Sequence, residues 1–288
     1  MKPAEFDYTR PTDLGAVLQM LATGADHKII AGGQSLVPMM NLRLARPAHL
    51  IDINRLQGLD HVRLDAGQLV IGALARHADL KDSALVAKHL PLMAAAYEWV
   101  AHAAVRHRGT LCGNLCHADP ASEMPAVMLA CGATMVAQSH KGTRRILAAD
   151  FFVGPFTTAL RADELLTEVH VPALAAGAGI GFHEVSMRKG DFAWASVAVQ
   201  MHCVAGRVKE VAIAVAGVGA CAMRLPSVEA ALVGGAADAA AFDRAGAAAA
   251  KAVDPPHDAM TPAEYRRDLI RALVPRALGD AAQPWRHA

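Results

Sequence analysis

The pair Gly32-Gly33 restricts this chain more than any other short stretch. It ends the apolar run HKII and opens AGGQSLVPMMNLRLARPAHLIDI. Two glycines after a strand let the backbone take positive φ and turn consecutive N–H groups to one side. Such a nest binds anionic oxygens, and Ser35 adds a hydroxyl donor. The stretch is not G-x-G-x-x-G, and no Gly-Lys-Ser/Thr follows it, so neither a Rossmann turn nor a P-loop is supported. Taken alone, a glycine pair is more often a turn than a ligand site.

A second segment changes that balance. The run VRHRGTLCGNLCHADPASEMPAVMLACGA, residues 105–133, is dense in special residues. Gly109 and Gly113 permit close backbone approach, and Thr110 and Asn114 offer side-chain hydrogen bonds. Asp119-Pro120 sets a turn, and Glu123 stands at a helix start, where negative charge is favoured. Two remote glycine segments can grip one long ligand that carries phosphates. Arg106 and Arg108 flank the second segment. Three readings stay open for them: balancing phosphate charge, facing a partner, or standing solvated at the surface. Cys112, Cys116 and His117 fall short of the four ligands that a zinc or iron–sulfur site needs. Small buried hydrophobes are the better reading, and no metal site is assigned. Cys131, Cys203 and Cys221 lie in apolar patterns and read as core. His117 and Asp119 could be an acid–base pair, but a loop anchored by side-chain hydrogen bonds is preferred. No nucleophile elbow or zinc-protease helix occurs, and no catalytic residue is assigned.

Along the chain, Thr12 is expected to cap a helix through Leu14, Val17, Leu18 and Leu21 that Gly24 stops. HKII and HLIDI read as strands, and 61–73 as a hairpin about Ala66-Gly67. Residues 77–101 look helical with a break near Pro91, 105–122 look like a loop, and a short helix follows Pro125. Residues 134–139 and 164–172 read as strands. The small, glycine-rich stretch 173–181 is taken as a boundary between domains 1–175 and 176–288. Beyond it come three consecutive antiparallel strands, then helical patterns at 226–234, 238–252 and 261–278. The class is α+β.

A chain of 288 residues suits two domains, and 53% hydrophobic with 19% charged residues is a globular balance. A net charge of +1 offers no field for nucleic acid. The longest apolar run, 211–223, is shorter than the roughly 18–20 residues of a membrane span, and the start MKPAEFDYTRP has no secretory apolar region. Five cysteines form no disulfide framework, which suits a reducing compartment. A cytoplasmic location is expected.

The stretches AGGQSLVPMMNLRLARPAHLIDI and RGTLCGNLCHADPASEMPAV, in this order, resemble the FAD-binding medium subunits of the molybdenum hydroxylases. That family includes the flavoproteins of aerobic carbon monoxide dehydrogenase and of nicotine and related N-heterocycle dehydrogenases, and the flavin domain of xanthine dehydrogenase. The resemblance covers nearly the whole chain. It implies a two-part FAD-binding domain of the vanillyl-alcohol-oxidase, or PCMH, type. A domain similar to the carbon monoxide dehydrogenase flavoprotein C-terminal domain would follow. It implies that Ala31, Gly32, Gly33, Gln34 and Ser35, with Leu36 beside them, wrap the FAD pyrophosphate. Thr110, Leu111, Cys112, Gly113 and Asn114 would form the second loop. Glu123 matches an acidic FAD contact, and Leu166 a leucine near the adenine or ribose half. His183 aligns with a lysine of the xanthine dehydrogenase domain. MRKGDFAWASV matches a basic-x-Gly-Asp-aromatic stretch, which would set Asp191 and Phe192 near the isoalloxazine. Phe192 and Trp194 would share a strand face and could stack on the ring, or one of them could be core.

The resemblance also implies partners. A large subunit would carry a molybdenum–molybdopterin cofactor and the substrate chemistry. A small subunit would carry two 2Fe-2S clusters that feed electrons to this FAD, which passes them to an external acceptor. A dimer of heterotrimers is the family expectation. Cys112, Cys116 and His183 depart from the family pattern, which bears on the flavin surroundings and the acceptor. Two other functions are weighed: a standalone flavin-dependent oxidoreductase of the same fold, and a non-catalytic nucleotide-binding assembly protein.

Overall fold

The computed structural model describes residues 1–24, 26–258 and 261–285. The chain opens with a small parallel sheet in which His49–Asp52 lies between Asp7–Thr9 and His27–Ile30. Helix Leu14–Ala22 covers it, burying Val17 and Leu21 against Ile51 and Ile53. Its cap is Asp13 rather than Thr12: the Asp13 carboxylate accepts from the Ala16 amide at 2.8 Å. Both residue types cap well, and the first apolar contact decides the register.

A five-stranded antiparallel sheet follows, in the spatial order Val62–Asp65, Gln68–Gly72, Leu165–Pro172, Thr134–Ser139, Gly142–Leu147. Ala66 and Gly67 take φ of 46° and 78°, the left-handed pair that a two-residue hairpin turn requires. The edge strand Gly142–Leu147 escaped the sequence reading, because Ile146 is its one buried residue and no alternation advertises it. The helical stretch after His77 divides into His77–Lys81, Ala84–His89 and Pro91–Ala96. The run 105–122, expected as loop, contains the end of helix Ala103–Arg106 and all of Leu111–His117. Its glycines and asparagine hide an inward stripe of Leu111, Cys112 and Leu115. The next helix begins at Glu123, two residues before Pro125, and runs to Ala130 with every residue buried. Pro125 fits there because proline is tolerated in a first helical turn.

The last sheet has four antiparallel strands rather than three: Ala178–Ser186, Ala193–Val204, Arg207–Ala216 and the two-residue Met223–Arg224. Successive side chains point to opposite faces. Val197, Val199, Met201, Ile213 and Val215 pack on helices Ala239–Ala252 and Ala263–Ala281. Ala198, Ala214 and Ala216 face the other way and join the core of the five-stranded sheet and of helix Glu123–Ala130. The turn at 119–122 is pinned to this sheet by bonds from Gly217 N to Pro120 O (2.7 Å) and from Ala193 N to Ala121 O (3.3 Å).

Candidate cofactor-binding site

The first glycine loop leaves strand His27–Ile30 and enters the short helix Leu36–Asn41. Gly33 has φ +72°, the left-handed conformation that favours glycine. Gly32 is required for a different reason. A Cβ there would sit 2.3 Å from Arg108 O and 2.7 Å from Gly109 Cα. The first loop therefore lies directly on the second, backbone to backbone. Among the described residues, the amides of Gly32, Gly33, Gln34 and Ser35 donate to no protein acceptor, and the Ser35 hydroxyl does not cap its helix. The Gln34 side chain folds back to Gly32 O at 3.1 Å. Ala31, Gly32, Gly33, Ser35 and Leu36 are half-buried, and Gln34 is exposed.

The second loop is held from below. His77 N donates to Gly109 O (3.0 Å) and Leu111 N to Ala75 O (3.3 Å). Buried Thr110 accepts the Gly113 amide on its hydroxyl at 3.1 Å, which starts helix Leu111–His117. Leu111 and Cys112 turn their side chains into the core, so only their backbone faces the loop surface. Burial drives the Cys112 thiol far up and pushes Cys116 to about 12, so both stay protonated. Asn114 and Ser122 exchange hydrogen bonds at 2.9 and 3.1 Å. Asn114 thus braces the loop against helix Glu123–Ala130. Asp119 accepts the Ala121 amide at 2.9 Å, the loop-anchoring role preferred for it, with His117 Nε2 4.0 Å away.

Two residues that carried no motif tie the loops together. Asn54 Nδ2 donates to Ala31 O at 2.7 Å, and Arg76 Nη2 donates to Asn54 Oδ1 at 2.6 Å. Arg76 Nη1 donates to Arg108 O. The sequence hinted only at Asn54, whose spacing from Asp52 suits an Asx turn: Asn54 N meets Asp52 Oδ1 at 2.8 Å.

Glu123 departs from the expectation of a favoured helix-start charge. Burial outweighs the helix end and, with Asp119 adding to it, pushes its carboxyl up to about 7. Glu184, on strand Ala178–Ser186, is 5% exposed; burial and then Glu123 push it to about 9. Neither Glu184 carboxyl oxygen nor the hydroxyl of its cross-strand neighbour Ser196 has a hydrogen-bond partner among the described residues.

Other sequence candidates lie elsewhere. Leu166 is core, paired with Ala137 beside a bulge. His183 Nε2 meets Asp280 Oδ2 at 2.8 Å, on the sheet face opposite Glu184 and against the C-terminal helix. Asp191 accepts from Arg188 Nε (3.0 Å) with His102 Nε2 at 3.8 Å. Phe192 precedes its strand and is 61% exposed, whereas the Trp194 ring sits 6.0 Å from that of Tyr265. The bulge between Val185 and Ser186 breaks the regular alternation on which a shared Phe192–Trp194 face depended.

The arrangement suits an anionic, elongated ligand: a row of free amides, a contact too close for any side chain, and the Arg76 cation beneath. Among the described residues, no three His, Cys, Asp or Glu side chains group to hold a metal, and no helix is long and apolar enough to cross a membrane. Residues 4–174 match the family described as the FAD binding domain in molybdopterin dehydrogenase, and residues 181–281 match the CO dehydrogenase flavoprotein C-terminal domain. The chain is 40% identical over 283 residues to the 6-hydroxypseudooxynicotine dehydrogenase complex subunit alpha of Paenarthrobacter nicotinovorans, covering 98% of this chain and 96% of that one. It is 39% identical over 290 residues to the caffeine dehydrogenase subunit beta of a Pseudomonas species, with the same two coverages. Its structure superposes on carbon monoxide dehydrogenase from Hydrogenophaga pseudoflava with a TM-score of 0.95, at 39% identity and 98% coverage of both chains. The TM-score with quinoline 2-oxidoreductase from Pseudomonas putida is 0.93, at 36% identity and 98% coverage of both chains. The chain belongs to the FAD-binding medium subunits of the molybdopterin dehydrogenases and is a flavoprotein subunit of an oxidoreductase complex.

Proposed function

We propose that this chain relays electrons from a partner subunit to an external acceptor through an FAD held against the two glycine loops. The observation that carries the reading is the unpaired amide row of Gly32 to Ser35, laid on the backbone of residues 108–109. Those amides and the Ser35 hydroxyl would bind the diphosphate, and Arg76 and Arg108 would offset its charge. Bound FAD supplies reversible one- and two-electron redox chemistry. The chain's own residues bind, orient and exclude water. Thr110 fixes the start of helix Leu111–His117, Asn114 braces the second loop, and Glu123 holds a proton near neutrality.

The substrate chemistry belongs to a large subunit with a molybdenum–molybdopterin cofactor, and the electrons come from 2Fe-2S clusters of a small subunit. The relatives are named as subunits of complexes acting on nicotine derivatives, caffeine and carbon monoxide, which supports this division of labour. A cytoplasmic dimer of heterotrimers, with this chain divided near residue 175, completes the proposal. Stopped-flow mixing of the FAD-loaded chain with its reduced 2Fe-2S partner tests it, and flavin bleaching is the expected result. A chain that binds FAD but takes no electrons from that partner refutes the relay.

A further inference from the structure

The carbonyls of Ala31 and Arg108 belong to different loops, yet one short chain of hydrogen bonds joins them. It runs from Ala31 O to Asn54 Nδ2 (2.7 Å), from Asn54 Oδ1 to Arg76 Nη2 (2.6 Å), and from Arg76 Nη1 to Arg108 O. In a trans peptide the C=O and N–H point in opposite directions. Drawing the Ala31 carbonyl toward Asn54 therefore turns the Gly32 N–H away from it, into the row of unpaired amides. On the second loop, Arg76 acts twice. Its side chain fixes the Arg108 carbonyl, and its backbone forms a bridge with Thr110.

The chain of bonds is itself anchored. Asp52 accepts from Asn54 N (2.8 Å) and Nδ2 (2.6 Å), and it also takes the Tyr8 hydroxyl (2.5 Å) and Arg10 Nε (3.2 Å). Asn54 thus has one orientation that satisfies its amide. Arg76 is half-buried beside a second cation, Arg108; both effects lower its pKa, while Asp79 and Asp52 act the other way. A partly desolvated guanidinium next to another arginine is stabilised by an anion placed over both.

We propose that Asn54 and Arg76 are positioning residues that lock the two glycine loops into one cradle, and that the Arg76 charge makes the cradle select ligands carrying a diphosphate. The second half rests on the proposed FAD site; the first half does not. Neither residue needs to touch the flavin ring.

Two measurements on the full chain test this. In the first, FAD and riboflavin are titrated separately by flavin fluorescence. Arg76→Gln should weaken FAD by roughly ten- to a hundredfold, as loss of a charged hydrogen bond does, and change riboflavin by less than about threefold. Arg76→Lys keeps the charge and should restore part of the preference for FAD. Equal losses for both ligands, or an FAD affinity unchanged within about twofold, overturn the selectivity. The second measurement is amide hydrogen exchange without ligand. Asn54→Ala touches the first loop alone, yet it should speed exchange at both 31–36 and 106–111. A change confined to 31–36 overturns the coupling. Unchanged exchange in the remote strands 197–201 and 211–215 distinguishes loosened loops from a variant that merely misfolds. A parent chain with no FAD affinity would sink the flavin reading, while the exchange result would still decide the coupling.

Discussion

A methyl group on Gly32 would sit 2.3 Å from the carbonyl oxygen of Arg108, well inside van der Waals contact. The neighbouring Gly33 is constrained by its φ of +72°, and the nearest atoms to a methyl group there would be the side-chain carbons Ile30 Cδ1 and Val37 Cγ2, each at 3.2 Å. The two positions thus call for glycine for separate reasons, and their substitutions should behave differently.

Gly32→Ala has to push the loops apart, because the obstacle is backbone. FAD retained by the purified chain should fall to a small fraction of the parent value. Gly33→Ala costs about 1–2 kcal/mol of left-handed strain and displaces flexible side chains, so FAD should bind roughly ten times more weakly. Flavin released by acid, measured per chain, ranks the two; the reverse order would contradict the described contact.

Thr110→Ala removes the cap on the Gly113 amide. A stability loss of about 1–2 kcal/mol is expected, and Thr110→Ser should recover most of it. Thermal melts of the flavin-free chain provide the comparison.

Glu123 and Glu184 predict a stability that falls as the medium becomes alkaline. Their folded pKa values, about 7 and about 9, lie above the ordinary carboxyl value of 4.5, so the folded chain holds protons that the unfolded chain releases. Their contribution is full below about 4.5 and declines with rising pH, by up to about 1.4 kcal/mol per pH unit for each carboxyl. The Glu123 share is lost by about pH 7 and the Glu184 share by about pH 9. Glu184→Gln should flatten the melting temperature between pH 7 and 9; a curve parallel to the parent's would show Glu184 already ionised.

Arg266 joins the C-terminal helix to the end of the last sheet. Its Nη1 donates to Trp194 O (2.8 Å) and Gly217 O (2.6 Å), and its Nη2 to Asp258 Oδ2 (2.8 Å) and Thr261 Oγ1 (2.7 Å). Arg266→Leu removes the guanidinium donor from the buried Gly217 carbonyl and the partly buried Trp194 carbonyl, and should cost about 2–4 kcal/mol in urea unfolding. Arg266→Lys, which cannot fork between the carbonyls, should recover less than half.

Much of this was legible from sequence where a local rule decides the outcome. Ala66-Gly67 announces its hairpin, and the glycine loops announce a cradle. The alternation after residue 178 announces three of four strands. What stayed hidden depends on the fold bringing distant residues together. Nothing near Arg76 in the chain tells that it reaches Asn54 and Arg108. Glu123 looks like a charged helix start until the C-terminal sheet closes over it. His183 and Glu184 are adjacent in sequence, and only the sheet decides which of them faces the flavin-binding half.

Helix Glu123–Ala130 has no side in water, because its residues are enclosed by the flavin-binding half and by the C-terminal sheet. The two halves therefore share a keystone rather than a hinge. Neither half can swing away from the other without exposing that helix, so parting them forfeits the burial of every residue from Glu123 to Ala130.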